Sequence, residues 1–152
     1  MLDRFEQFSS GISAIYRYIQ KIERDEMERN GMKGGLAQYL AILIQYPEGL
    51  TAAQLCEISD RDKAAVSRSV SEMESKGLLR RIVGENAYRA RLVLTDSGKQ
   101  AAQFVCRRID TAVELAAIGL KDADRAVFYA ALELFARNLQ TICREGLPED
   151  NM

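Results

Sequence analysis

Residues 62–76 read DKAAVSRSVSEMESK. Val66, Val70 and Met73 recur at steps of four and three, the spacing of one buried helix face. Turned inward, they leave Lys63, Ala64, Ser67, Arg68 and Ser71 on the opposite side. That side is small and polar, so another surface can approach it closely. A guanidinium such as that of Arg68 is a rigid fork of donors that fits paired acceptors, guanine O6 and N7 among them. Ser67 suits a base edge or a phosphate, and Ala64 suits a thymine methyl. Asp62 is a good N-cap, and a capped helix start adds a positive dipole end for phosphate. A helix with a serine-rich solvent face has the same pattern when taken alone. The elements around it decide between the two.

Those elements form an ordered set over residues 36–95. Residues 36–46 (LAQYLAILIQY) are apolar nearly all round, which predicts a helix central to the core, stopped before Pro47. Thr51 with Gln54 fits a capping box for a short helix over 52–58 that buries Leu55 and Ile58. A polar run, Ser59 to Asp62, separates it from the helix over 63–76, and Gly77 is the expected stop. The period then changes from helix to strand. Residues 80–83 and 89–94 read as a hairpin, with Ala90, Leu92 and Leu94 inward and Arg89, Arg91 and Val93 outward. Two short helices joined by a tight turn match helix-turn-helix spacing, and the basic hairpin makes a winged version.

Charge supports this reading locally. The whole chain of 152 residues has a net charge of −1. Residues 61–91 hold eight cations against four anions, whereas 122–152 hold three against six. A basic middle between neutral and acidic ends is a localised footprint for a polyanion.

Other chemistries are poorly served. There is no His, and Cys56, Cys106 and Cys143 are an odd, widely spaced set without a C-x-x-C pair. No Cys/His metal site, secreted disulfide framework or cofactor loop is expected. No Ser-His or Cys-His pair is available, and Glu72 and Glu74 are two apart on a helix, so they do not face each other. The chain is expected not to be an enzyme. Without a signal-like N-terminus or a long apolar run, it is expected in the cytoplasm and off the membrane.

The flanks supply helices. Phe5, Phe8, Ile12, Ile15, Ile19 and Ile22 follow steps of 3, 4, 3, 4, 3, a heptad seam that needs a partner surface. Asn30-Gly31 and Gly34-Gly35 end that helix. Thr95 caps a long helix over about 96–118, striped by Ala102, Val105, Ile109, Ala112 and Ala116. A last helix over 122–144 carries Phe128, Leu132, Phe135, Leu139 and Ile142. The fold class is mainly α (α+β). A winged helix-turn-helix lobe spans 36–95, and a helical region is formed from 1–30 and 96–146.

At this point a resemblance becomes specific. Leu50-Thr-Ala-Ala-Gln-Leu55, Asp62-Lys-Ala-Ala-Val-Ser-Arg68, Met73-Glu-Ser-Lys-Gly-Leu-Leu79 and Leu92-Val-Leu-Thr-Asp-Ser-Gly98 resemble, in order and spacing, the multiple-antibiotic-resistance-regulator (MarR) family. The resemblance implies a homodimeric, double-stranded-DNA-binding regulator, usually a repressor. It implies dimerisation through the first helix and the last two helices, with Phe5, Phe8, Ile12, Ile15, Phe135, Leu139 and Ile142 as the candidate interface residues. It implies base reading by Lys63, Ala64, Ala65, Ser67 and Arg68, beside which Ser71 lies on the same expected open face, and a wing that enters the minor groove, for which Arg81, Asn86, Arg89 and Arg91 are the candidate residues. Family wings commonly carry a tip arginine where this chain has Asn86. Arg89, preferred over Arg91, would then supply the cation, or the wing contributes less affinity. A small-molecule effector pocket is also implied, for which Tyr16, Tyr39 and Tyr46 are candidates, although core or interface packing is the favoured reading of each tyrosine taken separately. Two alternatives stand beside this: a winged-helix protein-interaction module that no longer binds DNA, and a regulator that senses oxidants through cysteine.

Overall fold

The computed structural model describes residues 2–84 and 89–149. The helices are α1 (Leu2–Arg29), α2 (Ala37–Leu43), α3 (Ala52–Ser59), α4 (Lys63–Ser75), α5 (Asp96–Ala116) and α6 (Asp122–Glu145). A 3₁₀ turn, Gly34–Leu36, leads into α2. Strands β1 (Leu79–Ile82) and β2 (Arg91–Leu94) pair antiparallel, with Leu79 opposite Leu94 and Ile82 opposite Arg91. Leu50 adds a bridge to Leu92. The chain forms two compact units that divide after Ala112, inside α5.

Each helix end in the first unit has a local cause. At α1 the Met32 N–H bonds the Met27 carbonyl and the Gly31 N–H bonds that of Glu28. This is a Schellman end, and Gly31 takes the required φ of +74°. The α4 end repeats it, with Leu78 on Met73 and Gly77 on Glu74. At α3 the left-handed residue is Asp60, φ +51°. Its short polar side chain tolerates that region better than most. The α3 start is the expected capping box: the Gln54 N–H donates to Thr51 Oγ1 at 3.2 Å, and the Thr51 N–H donates to Gln54 Oε1 at 2.9 Å.

The core of the first unit gathers Leu36, Leu40, Leu43, Leu55, Val66, Val70, Met73, Leu79, Leu92 and Leu94. Met27 from α1 and Ala101, Ala102 and Val105 from α5 complete it, so the flanking helices share the core of the winged lobe. Fully burying side chains of this size is worth roughly 1.5–3 kcal/mol each before entropy is counted.

Four expectations are corrected. The helix expected over 36–46 is α-helical only to Leu43. Beyond it the Gln45 and Tyr46 N–H groups reach back three residues, to Ile42 and Leu43. Pro47 disfavours the α conformation for the residue before it, so the end tightens. The strands run 79–82 and 91–94 rather than 80–83 and 89–94. Ile58 is exposed and Ser59 is buried in its place. The buried row of α3 is Leu55 and Ser59, four apart. The Ser59 hydroxyl is satisfied by the Leu55 carbonyl at 2.6 Å, and the Ser59 carbonyl accepts from Gln38. Finally, Val93 is buried, not outward. The turn before Leu50 covers it: a Cβ on Gly49 would stand 2.8 Å from Val93 Cγ2.

The second unit holds the end of α5 and all of α6. None of the 24 residues of α6 is buried. Arg125 pairs with Glu114 at 2.8 Å, and Phe128 meets Tyr129 edge to face at 5.6 Å.

Candidate nucleic-acid interface

Helix α4 is oriented as its spacing predicts. Val66, Val70 and Met73 are at most 2% exposed, while Lys63, Ala64, Ser67, Arg68 and Ser71 are all exposed. Ala65 is half-buried at the first turn. The Asp62 carboxylate accepts the Ala65 N–H at 2.8 Å. That hydrogen bond is the main reason its pKa lies below the usual aspartate value, with Arg68 adding a smaller pull. The start of α4 is therefore ordered by its own cap, and the groove-suited side chains follow within two turns.

The wing cations divide by environment. Arg91 donates to the carbonyls of Gly49 and Glu48, at 3.3 and 3.5 Å. It thus ties β2 to the turn after α2. Arg81 Nε donates to Glu74 Oε2 at 3.0 Å. Arg89 is exposed and makes no hydrogen bond or ion pair among the described residues. Asn86 lies outside the described residues. A groove of about 580 Å³ separates the start of α3 from the hairpin, lined by Thr51, Gln54, Arg81, Arg89 and Arg91. It joins three guanidinium groups to a helix N-terminus, a setting suited to phosphate. The capping box and the arginines were each visible in the sequence. Their meeting depends on the tertiary fold.

Two charged clusters escaped the sequence reading. Glu26 is 8% exposed and is held by Arg108 at 2.5 Å and Arg29 at 2.7 Å. The Arg108 hydrogen bond chiefly holds its pKa below the usual glutamate value. A signal existed: Glu26 falls four after Ile22, on the α1 apolar seam, where a charge requires a partner. Glu72 is gripped by Lys33 at 2.9 Å and Lys76 at 3.3 Å, linking α4 to the loop after α1.

The tyrosines separate likewise. Tyr39 is taken up by the core at 4% exposure. Tyr16 is exposed on α1. Tyr46 lines a 130 Å³ cavity with Leu43, Val93, Lys99 and Gln103. Burial, then Asp110 and Glu23, push the Cys106 thiol up, which opposes thiolate reactivity. Cys56 is half-buried and Cys143 exposed.

Two capped helices, a tight turn and a basic antiparallel hairpin define the lobe as a winged helix-turn-helix. Residues 30–90 match the MarR family model, so the MarR likeness read from the sequence is shown. The fold is shared with solved MarR-type regulators. One from Listeria monocytogenes, solved with 26mer DNA, is 21% identical at a TM-score of 0.76, covering 93% of this chain and 96% of that one. One from Methanosarcina mazei Go1 is 23% identical at 0.79, covering 90% and 92%. MepR, described as a transcription regulator of the Staphylococcus aureus multidrug efflux pump MepA, is 20% identical at 0.64, covering 87% and 98%. At these identities the likeness is one of fold. No curated protein sequence matches the chain. Among the described residues no helix is long and apolar enough to cross a membrane.

Proposed function

We propose that this protein is a DNA-binding transcriptional regulator that acts as a homodimer on a pseudo-palindromic operator. The observation that carries the reading is the exposed Lys63/Ala64/Ser67/Arg68/Ser71 side of α4, set against a fully buried Val66/Val70/Met73 side. Two such helices, related by a two-fold axis, would enter major grooves about one helical turn, ~10 bp, apart. Arg68 reads guanine, Ser67 and Lys63 fix the register on phosphate, and Arg89 is the wing cation. The DNA in the Listeria regulator's crystal supports the choice of ligand by likeness of fold.

The exposed apolar residues Phe5, Ile12 and Ile15 on α1, and Leu139 and Ile142 on α6, support a second copy as partner. Phe8 and Phe135 are exposed on the same helices. In this reading the protein works in the cytoplasm, where the DNA is, and represses by occupying its operator. An effector that prefers another spacing of the two recognition helices would release it. Of the three tyrosines, Tyr46 suits such a ligand best, because its cavity joins apolar walls to the Lys99 ammonium.

The test is selection of bound sequences from a random duplex pool, followed by anisotropy titrations. Arg68→Ala should cost ~1–3 kcal/mol on the selected duplex and little on a scrambled one. An unchanged ratio between the two duplexes rejects Arg68 as the base reader. No salt-dependent binding to any duplex rejects the function.

A further inference from the structure

Arg81, which lines the groove between the start of α3 and the wing, is paired with an acid on α4. Glu74 lies three residues after Ser71 and seven after Ser67, so it continues the exposed stripe that faces outward from α4. An acid on a surface meant for a polyanion weakens binding by simple repulsion. Yet Glu74 bonds Arg81 through Nε, at 3.0 Å, across the Gly77 turn. A guanidinium held at Nε keeps its orientation, and its two terminal nitrogens lie outside that bond. Arg81 at the same time lines the groove with Thr51, Gln54 and Arg89.

We infer that Glu74 is a positioning residue: it clamps the Nε side of Arg81 so that the terminal nitrogens are presented to a DNA backbone phosphate seated between the α3 start and the wing. This rests on the DNA-binding reading above. Pre-ordering a long side chain removes rotamer entropy that phosphate binding would otherwise cost. The inference requires that ordering Arg81 outweigh the repulsion between the acid and the phosphate, and the Glu74→Ala variant measures that balance. The acid also spans α4 and the hairpin, so it sets the wing's phosphate contact relative to the base-reading helix.

The test uses the full-length protein, the duplex selected by the wild type, and the variants Glu74→Ala, Glu74→Gln, Arg81→Ala and Glu74→Ala/Arg81→Ala. Glu74→Ala should weaken binding about threefold to tenfold, although it removes a negative charge from the DNA side. Glu74→Gln keeps an acceptor for Nε–H and should stay within about twofold of wild type. In the Arg81→Ala background, the Glu74→Ala effect should vanish, and Arg81→Ala should lower the salt slope by about one unit. Tighter binding by Glu74→Ala, or an equal loss with and without Arg81, overturns the inference while leaving the DNA-binding reading intact. NMR of the Arg81 Nε–H group in the free protein gives a readout without DNA. A sharp, slowly exchanging signal in wild type and Glu74→Gln, lost in Glu74→Ala, is expected. The same signal in all three rejects the clamp even if no duplex is bound.

Discussion

The arginines of the hairpin show how little residue type alone decides. Arg89 and Arg91 are both exposed cations two apart, but among the described residues Arg91 is spent on backbone carbonyls and Arg89 is not. Arg91→Ala should therefore lower the melting temperature, since the turn over residues 48–49 loses its tie to β2. Arg89→Ala should leave melting unchanged and weaken DNA binding, with a salt slope lower by about one. Calorimetry and salt titrations of both variants check the division, and equal melting losses would refute it. Asp62 makes a pH prediction. Its folded pKa is depressed from 3.8, first by the Ala65 N–H. Its stabilisation is therefore complete above the ordinary aspartate value and is lost as pH falls through the lower folded one. Asp62→Asn does not titrate, so its stability deficit at pH 7 should shrink in acid. Urea unfolding at both pH values measures this, and a deficit independent of pH would contradict it.

Among the elements, the junction between α4, β1 and α5 is closely packed. The Thr95 hydroxyl donates to the Gly77 carbonyl at 2.5 Å and accepts the Gly98 N–H at 3.1 Å. A Cβ on Gly98 would overlap the Leu78 carbonyl oxygen. Gly98→Ala should thus destabilise the fold by about 1–3 kcal/mol or more, through forced backbone movement. A melting temperature within a degree or so of wild type would show that the junction yields more easily than its packing implies. This glycine was legible in the sequence only as part of a motif, because the need for it comes from the chain crossing beside it. Ile58 and Val93 teach the same point from opposite sides. Periodicity identified their elements, but which edge of α3 and which face of β2 are covered depends on Gln38 and on the Tyr46–Gly49 turn.

For the whole molecule, the exposed apolar surface is the central fact. Leu139 and Ile142 are 47% and 37% exposed on a helix with no buried residue. Exposed apolar side chains on a helix without a core of its own fit the proposed contact with a second copy. Wild type should sediment as a dimer, and Leu139→Asp with Ile142→Asp should shift it toward monomer and weaken operator binding, because two half-sites are no longer held together. A dimer that survives both changes would locate the interface elsewhere.

The sequence by itself determined the order of elements, the capping residues, the inward face of α4 and the basic hairpin. Each follows from rules acting over a few residues: helical and strand periods, side-chain bonds to nearby N–H groups, glycine at positive φ. It also placed the exposed α4 residues correctly, since a helix face is a local property once its apolar row is known. Only the tertiary structure decided the rest: that Glu26 meets Arg108, that Glu72 meets Lys33, that Arg91 serves the backbone, and that Tyr39 is core while Tyr46 lines a cavity. Those outcomes join residues tens of positions apart, and which partners meet is set by how helices and strands pack. No local period encodes that packing.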